Sequence, residues 1–425
     1  MKYTKKDLGS YNLHIIKTNK FKTVTVKVIF HSPIIKDEIT KRNILSDILL
    51  QSNSDYQSKR DMIIKAEELY AADIYNSTER IGNYIMTSFT LQVLNDKYTE
   101  KDNLNKSIEF LRNLIFKPDI YKESFKEEKL SYVKNNCEVQ ISSIKEDPDE
   151  YASIRMNEVY DKSSPISYRM YGYKEDLEKI DTKNLYSYYK KMINNDYVDI
   201  FVVGDIDENE IISKIKELFK FRKIKKRKDE YELKVKKLRS KRLIAKETQA
   251  ISQSKLMVAC PLKKMTKYEK NYPLVLANII FGATSDSKLF KIVREKYSLC
   301  YVIYSRLSIL DNVIMIKAGI DKGNYKKTIE VIETILNNMK KAKFTEEEIN
   351  MAKEIYSSGI SNIEESPYSL ISEYFIEEIM DKEPYTKRLE IMNNVKKSDI
   401  KKAIKKVNID TIFLLEGDNQ WKKLI

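Results

Sequence analysis

Alternation of apolar and polar residues predicts β-strands near the amino terminus. Tyr11 to Thr18 and Lys22 to His31 both alternate, and the second contains the run TVTVKVIFH. Side chains at every second position lie on one face of a strand, so a half-buried strand has this period. Two segments with helical spacing follow, Arg42 to Gln51 and Lys59 to Ala72, and alternation returns in Asp73 to Leu94. We therefore predict strands separated by helices.

Longer segments with helical spacing predict helices in the middle of the chain. They run from about Asn103 to Phe116, from about Lys122 to Lys145 and from Glu208 to Phe219. The second should end before Pro148, because the residue before a proline disfavours the helical conformation. The buried strand VDIFVVGD, which starts at Val198, precedes the last of these helices.

The second half of the chain repeats this order of elements. A strand pattern at Ser252 to Cys260 precedes a helical pattern at Tyr268 to Phe281, and Val302 to Ile320 supplies further strands. Thr345 and a glutamate three residues later predict a capped helix start. The run TIFLLEGD, which starts at Thr411, resembles the earlier VDIFVVGD, and an amphipathic helix precedes each run. A repeat with a period of about 200 residues indicates an internal duplication.

The segment between the two repeats is strongly basic. Lys220 to Lys246 contains fourteen Lys and Arg residues but only three acidic residues, in a chain with a formal net charge of +14. Such a run is typical of a solvated linker, and an anionic partner is the alternative. Nucleic acid is disfavoured, because no aromatic-rich RNA-binding motif or zinc finger accompanies the run. We predict two α+β domains, at residues 1–220 and 247–425, joined by a basic linker at 221–246.

Composition limits the chemistry that the chain can perform. It has two histidines, His14 and His31, and three widely spaced cysteines, Cys137, Cys260 and Cys300, without a C-x-x-C pair. The cysteines therefore predict neither a disulfide framework nor a zinc knot. We expect structural roles for the histidines, which lie on predicted strands, and an improvised metal site is the alternative. No stretch approaches the roughly 18 apolar residues of a membrane span, and the amino terminus lacks a secretory signal, so we expect a cytoplasmic protein.

The stretch from Phe281 to Ser305, FGATSDSKLFKIVREKYSLCYVIYS, contains the strongest candidate site. Small residues lead into an amphipathic segment that bears Arg294, and alternation starts seven residues later at Tyr301. Such junctions commonly present side chains to a cavity. The alternative is that Arg294 forms a surface ion pair with Glu295 or Asp286 and that Tyr301 belongs to the core.

That stretch, together with SPISYRMYGYKEDLEKIDTKNLYSYYKKMINNDYVDIFVVGDID from Ser164, resembles the pitrilysin/insulinase family of zinc peptidases, especially its small two-domain branch. The resemblance extends over nearly the whole chain and implies two duplicated domains, each a mainly antiparallel sheet with helices packed on it. It also implies that Arg294 holds carbonyl groups of a peptide substrate and that Tyr301 stabilises the oxyanion. A guanidinium offers several donors in a fixed fork, and a phenol can donate to a developing negative charge.

The family's zinc site requires H-x-x-E-H on an early helix and a remote glutamate. The corresponding helix is RNILSDILLQSN, and the resemblance places Asn43 and Asp47 at the histidine positions and Ser46 at the glutamate position. The remote ligand falls on Gln140 when counted from one flank and on Asn135 when counted from the other. A catalytic zinc site needs about three good protein ligands, so we expect no metal cofactor in this chain.

In the family, some zinc-less chains pair with a zinc-bearing homologue. The resemblance therefore implies a heterodimer in which the partner holds the zinc and peptides are cleaved in a closed chamber, for peptide maturation or in connection with modification of elongation factor P. The chain could form a homodimer when alone. The alternative function is that of a purely structural or binding homologue without a catalytic contribution.

Overall fold

The computed structural model describes residues 1–224 and 230–418, so residues 225–229 of the predicted linker lie outside the described residues. The strands in chain order are β1 (Lys2–Asp7), β2 (Asn12–Lys17), β3 (Thr23–Pro33), β4 (Asp73–Ile81), β5 (Tyr84–Leu94), β6 (Tyr197–Gly204), β7 (Leu243–Gln249), β8 (Ser254–Pro261), β9 (Cys300–Ser308), β10 (Val313–Ile320) and β11 (Thr411–Gly417). The helices are α1 (Ile39–Leu49), α2 (Lys59–Glu68), α3 (Asn103–Phe116), α4 (Glu127–Ser143), α5 (Pro148–Tyr160), α6 (Lys174–Leu177), α7 (Thr182–Asn195), α8 (Glu208–Leu218), α9 (Lys267–Asn271), α10 (Pro273–Asn278), α11 (Tyr325–Lys340), α12 (Glu346–Ser361), α13 (Pro367–Met380), α14 (Tyr385–Asn393) and α15 (Lys397–Ile404).

The chain divides into two units, each built on its own sheet. The first unit comprises residues 1–142, 169–229 and 364–375, and the second comprises 143–168, 230–363 and 376–425. Each unit thus includes one segment from the other half of the sequence. The continuous ranges predicted from the sequence did not include this exchange.

The first unit contains a six-stranded sheet in the order β1-β2-β6-β3-β5-β4. Its pairs are antiparallel except for β2 with β6, which are parallel. The period of β3 explains its place at the centre, because Val24, Val26, Val28 and Phe30 all point into one apolar core. Burial of these side chains contributes about 1.5–3 kcal/mol each.

The second unit contains a five-stranded sheet in the order β7-β11-β8-β10-β9. Only β7 and β11 pair in parallel. One face of the sheet carries an apolar cluster with α10, α11 and α15, and the other face packs against α5, where Ala152 and Met156 join Phe413 of β11. The predicted capping box at Thr345 and Glu348 is confirmed at the start of α12. The predicted fold class, two α+β domains with mainly antiparallel sheets, is confirmed.

The described part of the basic run is bound to the second unit from Glu230 onward. Leu233 is buried, and its N–H donates to the carbonyl oxygen of Leu310 at 2.7 Å. The guanidinium of Arg239 forms an ion pair with buried Asp410, and β7 begins three residues before the predicted end of the linker. Some of the charged side chains of this segment therefore attach it to the second unit. In the ranges that the structure describes, no helix has both the length and the hydropathy needed to cross a membrane.

Candidate functional site

Helix α1 carries the three residues that the resemblance assigns to the zinc motif, and each of them takes part in a hydrogen bond. Asn43 Nδ2 donates to the carbonyl oxygen of Met170 at 2.6 Å, and Ser46 Oγ donates to the carbonyl oxygen of Asn43 at 2.9 Å. Asp47 Oδ1 accepts from Asn76 Nδ2 at 2.7 Å. The contacts of Asn43 and Asp47 join α1 to neighbouring segments of the first unit, whereas the contact of Ser46 lies within α1.

The side chain of α4 that lies near Asp47 is Cys137. Burial and, to a smaller extent, the charge of Asp47 raise the pKa of the Cys137 thiol to about 11. Gln140 and Asn135, the two positions expected from the sequence, are exposed instead. Leu130, Val133 and Cys137 share the inward face of α4 at spacings of three and four residues. This stripe is the sequence signal that could have identified Cys137 as the inward-facing residue.

The residues at the positions that the resemblance assigns to the zinc motif do not fit a zinc ion. An amide and a hydroxyl replace an imidazole and a carboxylate, and the nearby thiol is held in its protonated form by its raised pKa. Burial also raises the pKa of Asp47, although the hydrogen bond from Asn76 opposes this effect. Within residues 1–224 and 230–418, no three His, Cys, Asp or Glu side chains are arranged to hold a metal ion.

The two histidines meet at one carboxylate in the first sheet. His14 on β2 and His31 on β3 lie on either side of Asp199 on β6, with Nε2 to carboxylate oxygen distances of 2.8 Å and 2.7 Å. Tyr3 on β1 forms a hydrogen bond of 2.7 Å with His14 Nδ1. The His14 ring also stacks on Phe201, with ring centroids 4.1 Å apart. The parallel pairing of β2 with β6 places His14 opposite Phe201 and near Asp199. The antiparallel pairing of β3 with β6 brings His31 to the other side of Asp199.

This network keeps a buried carboxylate ionised. Burial alone would raise the pKa of Asp199, but the hydrogen bonds and charges of His14 and His31 outweigh it and hold the pKa well below its usual range. Both imidazoles are almost fully buried. The geometry supports a structural role for both histidines, because the Nε2 of each is directed at Asp199.

Arg294 lies in a π-helical segment of the second unit, Phe290–Lys296, which follows another at Ile279–Ala283. The sequence had predicted an α-helix through Phe281. Single π-helical turns are frequent at functional sites. A Cβ on Gly282 would lie 2.5 Å from Ser305 Oγ, so the close approach of this segment to β9 requires glycine.

Tyr301 is the extra residue of a β-bulge on the edge strand β9. Cys300 pairs with Ile320 of β10, and Val302 pairs with Gly319, so Tyr301 has no partner across the pair. A bulge changes the direction of the side chain it contains. Tyr301 is 62% exposed, and the alternative that it belongs to the core is therefore wrong.

Arg294 is exposed and its guanidinium makes no ion pair among the described residues. Its carbon Cζ lies 4.5 Å from the centroid of the Phe290 ring, and Asp286, a candidate partner, binds Lys291 instead at 3.1 Å. Burial raises the pKa of Cys300 to about 11, and the charge of Arg294 opposes this rise. The N–H of Ser298 donates to the carbonyl oxygen of Arg294 at 3.0 Å, so the backbone of Arg294 lies beside the start of β9, the same end of the strand as Tyr301.

The chain is similar to proteins described as peptidases or as their inactive relatives. A family model described as the peptidase M16 inactive domain matches residues 179–356. The chain is 29% identical over 414 residues to the probable inactive metalloprotease YmfF of Bacillus subtilis, which covers 96% of each chain. It is 24% identical over 309 residues to YmxG of Bacillus subtilis, named an uncharacterized zinc protease, which covers 71% of this chain and 72% of that one.

The fold is shared with a solved structure. A conserved protein from Enterococcus faecalis superposes with a TM-score of 0.89 and 27% sequence identity, and the match covers 99% of both chains. The inactive-domain match over residues 179–356, the similarity to a probable inactive metalloprotease along nearly the whole chain and the shared fold together show that this chain is similar to M16 peptidase-like proteins described as inactive.

Proposed function

We propose that this chain is the zinc-less subunit of a heterodimeric metallopeptidase and that it supplies Arg294 and Tyr301 to a zinc-bearing homologue that cleaves peptides. The exposure of these two side chains at one end of β9 carries the proposal. The similarity to both a probable inactive metalloprotease and a zinc protease supports it. Peptide maturation and modification of elongation factor P, in the cytoplasm, are the settings that the resemblance suggests.

The chemistry of the two side chains suits peptide hydrolysis. The guanidinium of Arg294 has several N–H donors that can hold peptide carbonyl groups in a fixed orientation. The phenol of Tyr301 can donate a hydrogen bond to the oxyanion that forms when water attacks the scissile carbonyl. The metal of the partner would supply the activated water. Each subunit would then contribute what the other lacks.

The test uses the complex with a zinc-bearing homologue, obtained by co-expression and assayed with a fluorogenic peptide library. We expect Tyr301→Phe to lower kcat about 100- to 1,000-fold, because it removes one donor to the oxyanion. Arg294→Ala should mainly raise KM. Tyr297→Phe and Lys291→Ala are matched controls, since both side chains are exposed in the same segment, and both variants should keep full activity.

Two results would overturn the proposal. Full activity of both Arg294→Ala and Tyr301→Phe complexes would favour the purely structural or binding homologue. One tightly held zinc per chain in metal analysis of the isolated protein would show that it has a metal site of its own. We expect the isolated chain to bind no stoichiometric zinc and to cleave no peptide.

A further inference from the structure

Strand β9 carries two further exposed side chains besides Tyr301 that the proposed function does not involve. Tyr304 and Arg306 are two residues apart, so they lie on the same face of the strand, and both are exposed. Tyr304 pairs with Lys317 of β10. Directly paired residues have Cβ atoms about 5 Å apart, and diagonal neighbours lie roughly 7–8 Å apart. Tyr304, Arg306 and Lys317 therefore form one patch, which we call the β9 patch.

The carboxylates near this patch belong to the first turn of α5. Asp149 is bound to Lys255 at 2.7 Å. Burial lowers the pKa of Lys317, and the nearby charges of Glu150 and Asp149 oppose this effect. The Lys317 ammonium also donates to Ser153 Oγ at 2.6 Å. Both lysines are thus already held by groups of the second unit.

Arg306 is the cation of the patch that is available to a ligand. Among the described residues, its guanidinium takes part in no ion pair or hydrogen bond. The charge of Arg306 lowers the pKa of Lys317, as burial does. It also lowers the pKa of Tyr304, which burial raises. The register of β9 with β10 places Arg306 two positions from Tyr304 and diagonal to Lys317 on the same face of the sheet.

We propose that Arg306 is a specificity-determining residue that binds an acidic side chain of the peptide substrate. The proposal rests on the proposed function above. Because β9 is the edge strand of its sheet, an extended peptide can lie along it as an additional strand. Arg306 lies four positions after Val302, the neighbour of Tyr301, which is a span of about 13 Å at roughly 3.3 Å per residue. The acidic residue therefore lies about four residues from the scissile bond.

A carboxylate is the group that fits Arg306 best. The guanidinium fork can form two parallel hydrogen bonds to one carboxylate, which strengthens and orients the pair. The ring of Tyr304 provides an apolar surface on one side of this pair. Hydrogen bonds between charged groups are strong enough to give a preference of about tenfold over an uncharged side chain.

The experiment uses three peptides, each with both ends blocked, that differ only in Glu, Gln or Lys four residues from the cleavage site. Because the ends are blocked, any charge preference reflects binding of the side chain and not of a terminal carboxylate. The heterodimer should cleave the Glu peptide with a KM about tenfold below that of the Gln peptide. Arg306→Gln should remove this difference, and Arg306→Glu should make the Lys peptide the preferred one. Lys264→Gln, a change of an exposed cation on another surface, should leave the preference intact.

Binding of the same peptides to the isolated chain, followed by fluorescence anisotropy, separates the two proposals. A charge preference that reverses in Arg306→Glu supports the present inference even if the heterodimer hydrolyses nothing, which would count against the proposed function alone. Hydrolysis with the same KM for all three peptides, unchanged in both Arg306 variants, would overturn the inference and leave the proposed function standing.

Discussion

Helix α1 in the first unit and the start of β9 in the second unit differ in what their polar side chains do. Asn43, Ser46 and Asp47 all form hydrogen bonds within the first unit. Arg294 and Tyr301 are exposed, and in the described residues neither forms an ion pair. The polar groups of α1 now stabilise the fold, whereas those of β9 remain available to a ligand.

The difference follows from burial. A polar group inside a protein costs free energy unless it has a partner, so substitutions on α1 are tolerated only if the new side chain finds one. The side-chain amide of Asn43 has such a partner, because it donates a hydrogen bond to the carbonyl oxygen of Met170. An exposed arginine or tyrosine has no such requirement, because water satisfies it. Exposed polar residues at a bulge are therefore better candidates for function than buried polar residues on a helix.

The largest effect that tests this contrast is expected at Asp199. Asp199→Ala leaves His14 and His31 without the carboxylate that both contact, and a buried polar group left without its hydrogen-bond partner costs about 1–3 kcal/mol for each group. We expect that decrease in the free energy of unfolding at pH 7, measured by urea denaturation with hydrogen exchange of the β2, β3 and β6 amides. Asp205→Ala, which removes an exposed ion pair with Lys97, should leave the transition unchanged.

The contribution of Asp199 should also depend on pH in a definite direction. Its pKa is depressed in the folded state, so its stabilisation is full above the unfolded pKa of about 4 and is lost as the pH falls below that value. The difference between the wild type and Asp199→Ala should therefore shrink at low pH. An equal difference at neutral and acidic pH would contradict the role assigned to this carboxylate.

A smaller effect of opposite sign is expected at Asp47. Because burial raises its folded pKa, the stability linked to this group is full below the unfolded pKa of about 4 and decreases as the pH rises through the folded value. Asp47→Asn keeps an acceptor for Asn76 and removes the buried charge. It should increase the free energy of unfolding at pH 7 by about 1 kcal/mol, the usual size of a single-substitution effect, and change little near pH 4. A decrease at pH 7 would show that the charge of Asp47 has a stabilising partner.

The smallest effect on stability is expected for the exposed pair. Arg294→Ala and Tyr301→Phe should each change the free energy of unfolding by less than about 0.5 kcal/mol, as is usual at the surface. Thermal denaturation of the isolated chain measures this directly. A loss of several kcal/mol in either variant would mean that the pair is part of the packing, like the residues of α1.

The sequence by itself determined much of this protein. Periods of two and 3.6 residues located the main strands and helices, and the repeated run near the end of each half indicated the duplication. Together with the family resemblance, the residue types at positions 43, 46 and 47 predicted an incomplete zinc motif. These features depend on local spacing and residue chemistry, which the order of residues states directly. The seven-residue spacing of Arg294 and Tyr301 was visible for the same reason.

Only the tertiary structure decided which side chains meet. Asp199 lies 168 residues from His31, and β-strand pairing alone brings them together. The side chain near Asp47 is Cys137 instead of Gln140, because the orientation of α4 depends on how its apolar stripe packs. The bulge that exposes Tyr301 results from the register between β9 and β10. Contacts between distant segments depend on packing and register, and neither can be read from the period of one segment.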